Sequence, residues 1–299
     1  MPETFVIIDG NSLMHRAFHA LPPLSNEDGV FTNAVFGFLS MLLKVVGDVH
    51  PEYLAVAFDL HGPTFRHRDY AEYKAGRKPT APELRPQFDL VRECLTAMGV
   101  RQLTCPSFEA DDILGTFARR CEEAGIHALL VTGDRDSLQL VDDHVTVLLA
   151  ATKMGRPETT VFDPAAIREK YGLEPAQLID LKALMGDASD HIPGVPGIGE
   201  KTALDLMHRF GSLDALYDQL DSPDIRPAVR RKLEEGRDSA YLSRKLGTIC
   251  RKAPVDSDPE AYRLAPVQKG ELARLLARLE FFSLIDRMGL DAPPAEVPE

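Results

Sequence analysis

The residues best equipped for chemistry in this chain are carboxylates, and the sequence gathers them. Glu109-Ala110-Asp111-Asp112 opens one amphipathic segment, and Gly133-Asp134-Arg135-Asp136 follows an apolar run. Five acids in two tight clusters repel one another, and each is costly to bury bare, so a cation belongs among them. Oxygen donors of this kind suit hard divalent ions such as Mg²⁺ or Mn²⁺. Asp9 and Asp59 extend the set, because each ends a continuous apolar run, Phe5-Val6-Ile7-Ile8 and Tyr53-Leu54-Ala55-Val56-Ala57-Phe58. Such runs read as buried strands, and open α/β sheets place ligands at the carboxyl ends of their strands. Asp187 and Asp190, in Gly186-Asp187-Ala188-Ser189-Asp190, add two more acids further along.

The elements that must position these acids follow from apolar periodicity. It predicts helices over Thr32–Val46, Leu84–Met98, Pro164–Tyr171 and Pro175–Met185, and one from an N-cap at Ser107 to about Gly125. That cap places Glu109, Asp111 and Asp112 in a first turn, where the helix dipole alone favours negative charge. Glu109 and Asp112, three apart, share a face, and Asp111 points elsewhere. Further strands are expected at Val100–Thr104, Ala128–Thr132 and His144–Leu149, with a return strand at Thr159–Phe162 after a turn at Lys153-Met154-Gly155. Asp9-Gly10-Asn11-Ser12 reads as a turn, and Gln268–Leu290 as one closing helix with Phe281 and Phe282 packed inward. Strands alternating with helices indicate an α/β fold with a mainly parallel central sheet flanked by helices.

A chain of 299 residues, 44% of them hydrophobic, can bury a large core. Its formal net charge of −12 disfavours nucleic acid unless the acids are gathered around metals. The basic residues are concentrated too. Arg66 to Lys78 carries Tyr70 and Tyr73 among its cations, a mixture suited to phosphates and unstacked bases, and Arg226 to Lys252 is basic and helical in pattern. A solvated charged face accounts for either segment equally well. Gly194 to Thr202 nearly spells a triphosphate-binding loop, but Glu200 stands between Gly199 and Lys201 and no strand precedes it. What remains is a glycine turn whose N–H groups and following helix start suit a DNA phosphate, or a plain αα-hairpin. Cys94, Cys105, Cys121 and Cys250 form no CxxC pair, which indicates reduced thiols and no zinc site. The first apolar run is too short for a signal peptide or a membrane span and no basic leader precedes it, so a cytoplasmic protein without a membrane partner is expected. Ala292 to Glu299, rich in Pro and acid, reads as a frayed tail.

Five blocks in this order carry a family resemblance: Ala57-Phe58-Asp59, Tyr73-Lys74-Ala75-Gly76-Arg77, Glu109-Ala110-Asp111-Asp112, Thr132-Gly133-Asp134-Arg135-Asp136, and Gly186-Asp187 through Gly197-Ile198-Gly199-Glu200-Lys201-Thr202. Together they resemble the 5′-nuclease, or flap endonuclease, family, and within it the N-terminal 5′→3′ exonuclease domains of bacterial DNA polymerase I. The resemblance implies a PIN/5′-nuclease-like α/β core over residues 1–185, with a helical arch at about 65–98. It further implies a helical DNA-binding region over 186–290, with a helix-three-turn-helix at about 186–220, and a tail at 291–299. Nine metal-holding acids follow from it: Asp9, Asp59, Glu109, Asp111, Asp112, Asp134, Asp136, Asp187 and Asp190. The group of Asp9, Asp59, Glu109 and Asp111 is implied to sit nearer the scissile phosphate and the later acids to serve a second ion. Lys74 and Arg77 are expected to assist the phosphate, Tyr73 to line the arch, and Gly194, Gly197, Gly199 and Lys201 to grip duplex DNA, with a K⁺ in that loop.

The expected reaction is two-metal hydrolysis of DNA, and of RNA-primer, phosphodiesters in branched or nicked duplexes with a free 5′ end. It is expected at the bacterial nucleoid, in replication and repair, beside a DNA polymerase. No polymerase body follows in this sequence, which suits either a free-standing nuclease or an excised domain. Rival readings of the same acids are a structure-selective DNA-binding module with a structural metal, a toprim-type nuclease and a PIN-type ribonuclease.

Overall fold

A computed structural model describes residues 3–153 and 156–291. Its sheet has strands β1 (Thr4–Asp9), β2 (Tyr53–Ala57), β3 (Arg101–Leu103), β4 (His127–Thr132), β5 (Val145–Lys153) and β6 (Arg156–Phe162), in the order β3-β2-β1-β4-β5-β6. All neighbours pair in parallel except β5 and β6. The helices are α1 (Gly10–Ala20), α2 (Asn33–Val49), α3 (Phe65–Asp69), α4 (Arg85–Ala97), α5 (Ala110–Ala124), α6 (Pro164–Tyr171) and α7 (Gln177–Met185). They continue as α8 (Glu200–Phe210), α9 (Leu213–Asp218), α10 (Pro227–Glu235), α11 (Arg237–Gly247), α12 (Lys269–Arg278) and α13 (Phe282–Met288).

The apolar runs are strands buried on both faces. Alternate side chains of a strand point to opposite sides, and here Val6 and Ile8 join one core cluster with α2 and α4 while Phe5 and Ile7 join another with α5. Leu54 and Val56, against Tyr53, Ala55 and Ala57, divide in the same way. From β1 the chain steps outward through β2 to β3, then returns to β4 on the other side of β1 and continues to β5. The crevice beyond the carboxyl ends of β1 and β4 is therefore the topological switch point, where open α/β sheets bind ligands. Asp9 ends β1, and Asp134 lies two residues beyond β4.

Several expectations change. Asp9-Gly10-Asn11-Ser12 is the start of α1 rather than a turn, with Asp9 as N-cap accepting the Ser12 N–H at 2.9 Å. A single carboxylate ends the strand and starts the helix, which leaves no room for a turn. Glu109, and not Ser107, caps α5; Ser107 has φ 67°, in the left-handed region. The closing helix is two, α12 and α13, broken where Glu280 takes φ 60°; Phe281 packs at 4% exposure, whereas Phe282 is 60% exposed. Residues 65–98 do not form one arch: α4 is part of the core against α2 and α12, because Val91, Cys94 and Leu95 face inward. The turn expected at Met154-Gly155 and the tail from Ala292 lie outside the described residues.

A third core cluster holds the helical region together. Leu181, Ala183 and Leu184 of α7 join Leu206, Leu216 and Leu233 in it, so α7 belongs with the helices that follow. Leu272, Leu276, Leu284 and Ile285 return to the core cluster of the sheet. A division at residue 185 with helices to 290 thus cuts across the packing. Gly186 and Gly194, at φ 74° and 63°, cross backbone to backbone at the base of the glycine turn; a Cβ on Gly194 would lie 2.3 Å from the Gly186 nitrogen. Among the described residues, no helix is long and apolar enough to cross a membrane.

Candidate functional site

The acids meet in one cavity of about 820 Å³ at the switch point. Seven of the nine line it: Asp9, Asp59, Glu109, Asp111, Asp134, Asp136 and Asp187. Each is placed by its element's end. Asp9 accepts the Thr132 hydroxyl at 2.9 Å in addition to the Ser12 N–H. Asp59, just past β2, accepts the Ala110 N–H at 2.7 Å and so ties β2 to the start of α5. Asp134 caps the 3₁₀ turn Arg135–Leu140 by accepting the Asp136 N–H at 3.0 Å. Asp187 accepts the Ser189 N–H at 2.8 Å within the loop that leads from α7.

The cavity carries more negative charge than it neutralises. Burial first, then the Asp59 charge, pushes the Asp9 carboxyl up to about 7. Burial and then Asp134 push Asp136 up to about 6 against the opposing pull of Lys182. Asp111 is raised well above the ordinary value by burial, Asp134 and Asp9. Its Oδ1 is buried with no hydrogen-bond partner among the described residues. An orphaned carboxylate oxygen beside other crowded carboxylates fits a hard divalent cation. Among the described residues no three acid, His or Cys side chains already close into a metal cage. Side-chain cations draw some of the acids aside. Lys182 bridges Asp136 and Asp187, at 2.6 Å from the latter, and Lys74 lies 2.7 Å from Glu109. Burial raises Asp187, but Lys182 and Ser189 outweigh it and hold the carboxyl at about 2.

These shifts make stability depend on pH in a definite direction. Asp9, Asp111 and Asp136 hold their protons more tightly folded than unfolded, so the stability they contribute is present at low pH and lost as pH rises through their native values. Asp187 acts oppositely, and its contribution is lost only as pH falls towards about 2. In chelator, the melting temperature is expected to fall by several degrees between roughly pH 4 and 8, and Mn²⁺ is expected to restore it at the upper end. A chelated melting temperature that stayed level or rose over that range would contradict this account of the acids.

Two of the nine stand apart from the cavity wall. Asp190 is buried against Arg77, which pairs with it, and accepts the Tyr73 hydroxyl at 3.4 Å. Asp112 is fully buried and bonded to Arg66 at 2.7 and 2.8 Å. Tyr73 cannot stack on a base, because it is buried and donates its hydroxyl to Glu109 at 3.0 Å. Lys74 and Arg77 do line the cavity. Lys74 takes φ 55°, with its N–H bonded to the Asp190 carbonyl at 2.9 Å, a left-handed turn that aims its ammonium at Glu109.

In the glycine turn, the Gly194 N–H is spent on the Ser243 hydroxyl at 2.9 Å, while Gly197, Gly199 and Lys201 are exposed. Gly199 is the N-cap of α8 and has no side chain to satisfy the first N–H groups, which leaves them for an anion. Loop carbonyls are already engaged: Gly197 by Lys232 at 3.0 Å and Gly194 by Ser239 at 2.6 Å. The Lys232 ammonium thus already meets a carbonyl of the loop in which a K⁺ was expected.

Two contributors escape sequence reasoning. Lys182 is five residues before Asp187 and carries no motif. Arg16 crosses Gly133 and donates to its carbonyl; a Cβ at 133 would collide with the guanidinium, so the glycine between Thr132 and Asp134 was the available signal.

The pattern described as 5′-3′ exonuclease, N-terminal resolvase-like domain, matches residues 4–172, and 5′-3′ exonuclease, C-terminal SAM fold, matches 173–270. DNA polymerase I of Bacillus subtilis is 42% identical over 98% of this chain and 33% of its own length. That of Chloroflexus aurantiacus is 45% identical over 92% of this chain and 29% of its own length. The chain thus spans about a third of the length of these relatives. Among solved structures, a T5 5′-exonuclease with bound zinc superposes with a TM-score of 0.68 at 21% identity, covering 96% of this chain and 99% of its own. The catalytic core of Rad2 in complex with DNA substrate gives a TM-score of 0.61 at 18% identity, over 93% and 88% of the two chains. At these identities the structural likeness speaks for the fold.

Proposed function

The chain belongs to the 5′-3′ exonuclease family, a family of nucleases, and from this we propose that it is a divalent-metal-dependent 5′→3′ exonuclease and 5′-flap endonuclease. The observation that carries the reading is the cavity of seven carboxylates at the switch point, with the Asp111 oxygen left unpartnered inside it. Asp9, Asp59, Glu109 and Asp111 as one group, with Asp134, Asp136 and Asp187 as another, would suit two ions. Bound Mg²⁺ or Mn²⁺ would supply an ionised water and offset charge on the phosphate.

The chain's own residues do the rest. Lys74 and Arg77 face the cavity from the segment after α3 and offset the repulsion between the acids and an incoming phosphate. The free N–H groups at the start of α8, with exposed Lys201, offer duplex DNA a backbone hold that is independent of sequence. Substrate choice then rests on shape, with the duplex held at the helical region and a free 5′ strand led past Lys74. The RNA strand of a primer hybrid is included, because the chemistry at the phosphorus does not require a particular sugar. A DNA polymerase is the natural functional partner, since the matched relatives join the two.

The test is cleavage of a 5′-labelled flap on a nicked duplex, in Mg²⁺, in Mn²⁺ and in chelator, beside a 3′ flap and plain single strand. Metal-dependent cutting near the 5′ junction is expected. Tight binding with no cutting in any metal would move the chain to a structure-selective DNA-binding role.

A further inference from the structure

We propose that Asp112, although it stands in the acidic cluster, holds no metal: with Arg66 it forms a buried clamp that positions Glu109 and the Lys74 segment. The inference rests on the nuclease reading for the part it gives Glu109. Its evidence is a count of donors and acceptors. A carboxylate offers about four acceptor positions and a guanidinium five donors. Asp112 Oδ2 accepts Arg66 Nη1 at 2.8 Å and the Glu109 N–H at 3.0 Å. Its Oδ1 accepts Arg66 Nη2 at 2.7 Å and the Cys250 N–H at 2.8 Å. All four positions are filled, so none is left for an ion.

Arg66 is filled as completely. Beyond its two bonds to Asp112 it donates to the Leu246 carbonyl at 2.9 Å, the Thr248 carbonyl at 3.1 Å and Glu109 Oε2 at 3.4 Å. The pair, 3% and 0% exposed, thus joins α3, the N-cap of α5 and the end of α11. Glu109 is fixed by it through both backbone and side chain, and the other carboxylate oxygen of Glu109 receives Lys74. Asp111, one residue earlier, shows the opposite condition, with a buried oxygen that nothing in the described protein satisfies. Adjacent acids therefore do different jobs: Asp111 is available to a cation and Asp112 is a positioning residue.

The experiment compares the parent chain with Asp112→Asn, Asp111→Asn and Arg66→Lys. Mn²⁺ binding is followed by calorimetry and melting by circular dichroism. Asp112→Asn is expected to bind Mn²⁺ with the parent's stoichiometry and within about twofold of its affinity, and to melt about 10 °C lower, because one partner of a buried pair is lost. Asp111→Asn is expected to lose at least about tenfold in Mn²⁺ affinity without melting lower. Arg66→Lys keeps the charge but not the fork; at a temperature where it is folded, kcat on the flap is expected to fall about tenfold with DNA Kd within about twofold. A role confined to stability would leave the kcat of the folded enzyme unchanged.

Loss of Mn²⁺ affinity in Asp112→Asn comparable to that in Asp111→Asn would overturn the proposal, as would full kcat in Arg66→Lys. If Asp112→Asn does not fold, Arg66→Lys carries both measurements. Should the parent bind no Mn²⁺, the metal reading of the function falls, while the melting contrast between the two aspartate variants still decides whether the pair is a clamp.

Discussion

An Asp111→Asn variant is expected to lose about 10³-fold in kcat and yet to melt higher than the parent in chelator. Asparagine keeps the shape of the side chain and removes its charge. In the folded protein that charge is held against burial and against Asp134 and Asp9, and one of its oxygens has no partner. Removing it relieves repulsion, so the metal-free protein gains stability. The same change deletes an anion that a divalent cation would need, and a loss of about 4 kcal/mol at the transition state corresponds to about 10³ in rate. Affinity for flap DNA should hold or rise, since the cavity becomes less negative. Single-turnover cleavage, gel-shift titration and melting on one preparation would separate these effects. Cleavage at the parent's rate would remove Asp111 from the active site and, with it, the reading of the cavity as a metal centre.

Lys74→Ala is expected to lower kcat about 100-fold while changing DNA Kd by no more than about threefold. The Lys74 ammonium lies 2.7 Å from Glu109 and 3.9 Å from Asp190, on a backbone held in the left-handed region by its bond to the Asp190 carbonyl. Burial lowers its proton affinity, but Glu109 and Asp190 outweigh that and raise it, so the side chain stays charged. A charge fixed at the cavity wall is positioned before substrate arrives and costs no reorganisation during reaction. Exposed lysines on α10 and α11 can share the work of holding the duplex, which is why binding should change little. A variant whose defect vanished at saturating DNA would place Lys74 in docking.

Much of the site was legible because its signals are local. A continuous apolar run ending in Asp is a property of consecutive residues, and it located β1 with Asp9 and β2 with Asp59. Five short blocks in order likewise pointed to the family that the matches over residues 4–270 establish. The helix after Asp9 was missed because a cap and a turn begin with the same residues. Residues 65–98 were read as one segment because the amphipathic pattern of α4 shows that it buries a face, and not which layer it buries that face against.

What the sequence by itself determined is the strand ends, the acidic character of the site and the family. What only the tertiary structure decided is which acids share the cavity and which are spoken for elsewhere. Spacing put Glu109 and Asp112 on one helical face with Asp111 off it, yet in the fold Asp111 faces Asp9 and Asp134 while Asp112 is spent on Arg66 and the Cys250 N–H. Those partners are 46 and 138 residues away, and the strands and helices between them set the meeting. Lys182 with Asp136, Tyr73 under Glu109 and Phe282 left outside are decided in the same way. The backbone determines where a side chain starts; packing determines what it meets, and a carboxylate becomes a metal ligand or a structural anchor only according to that neighbour.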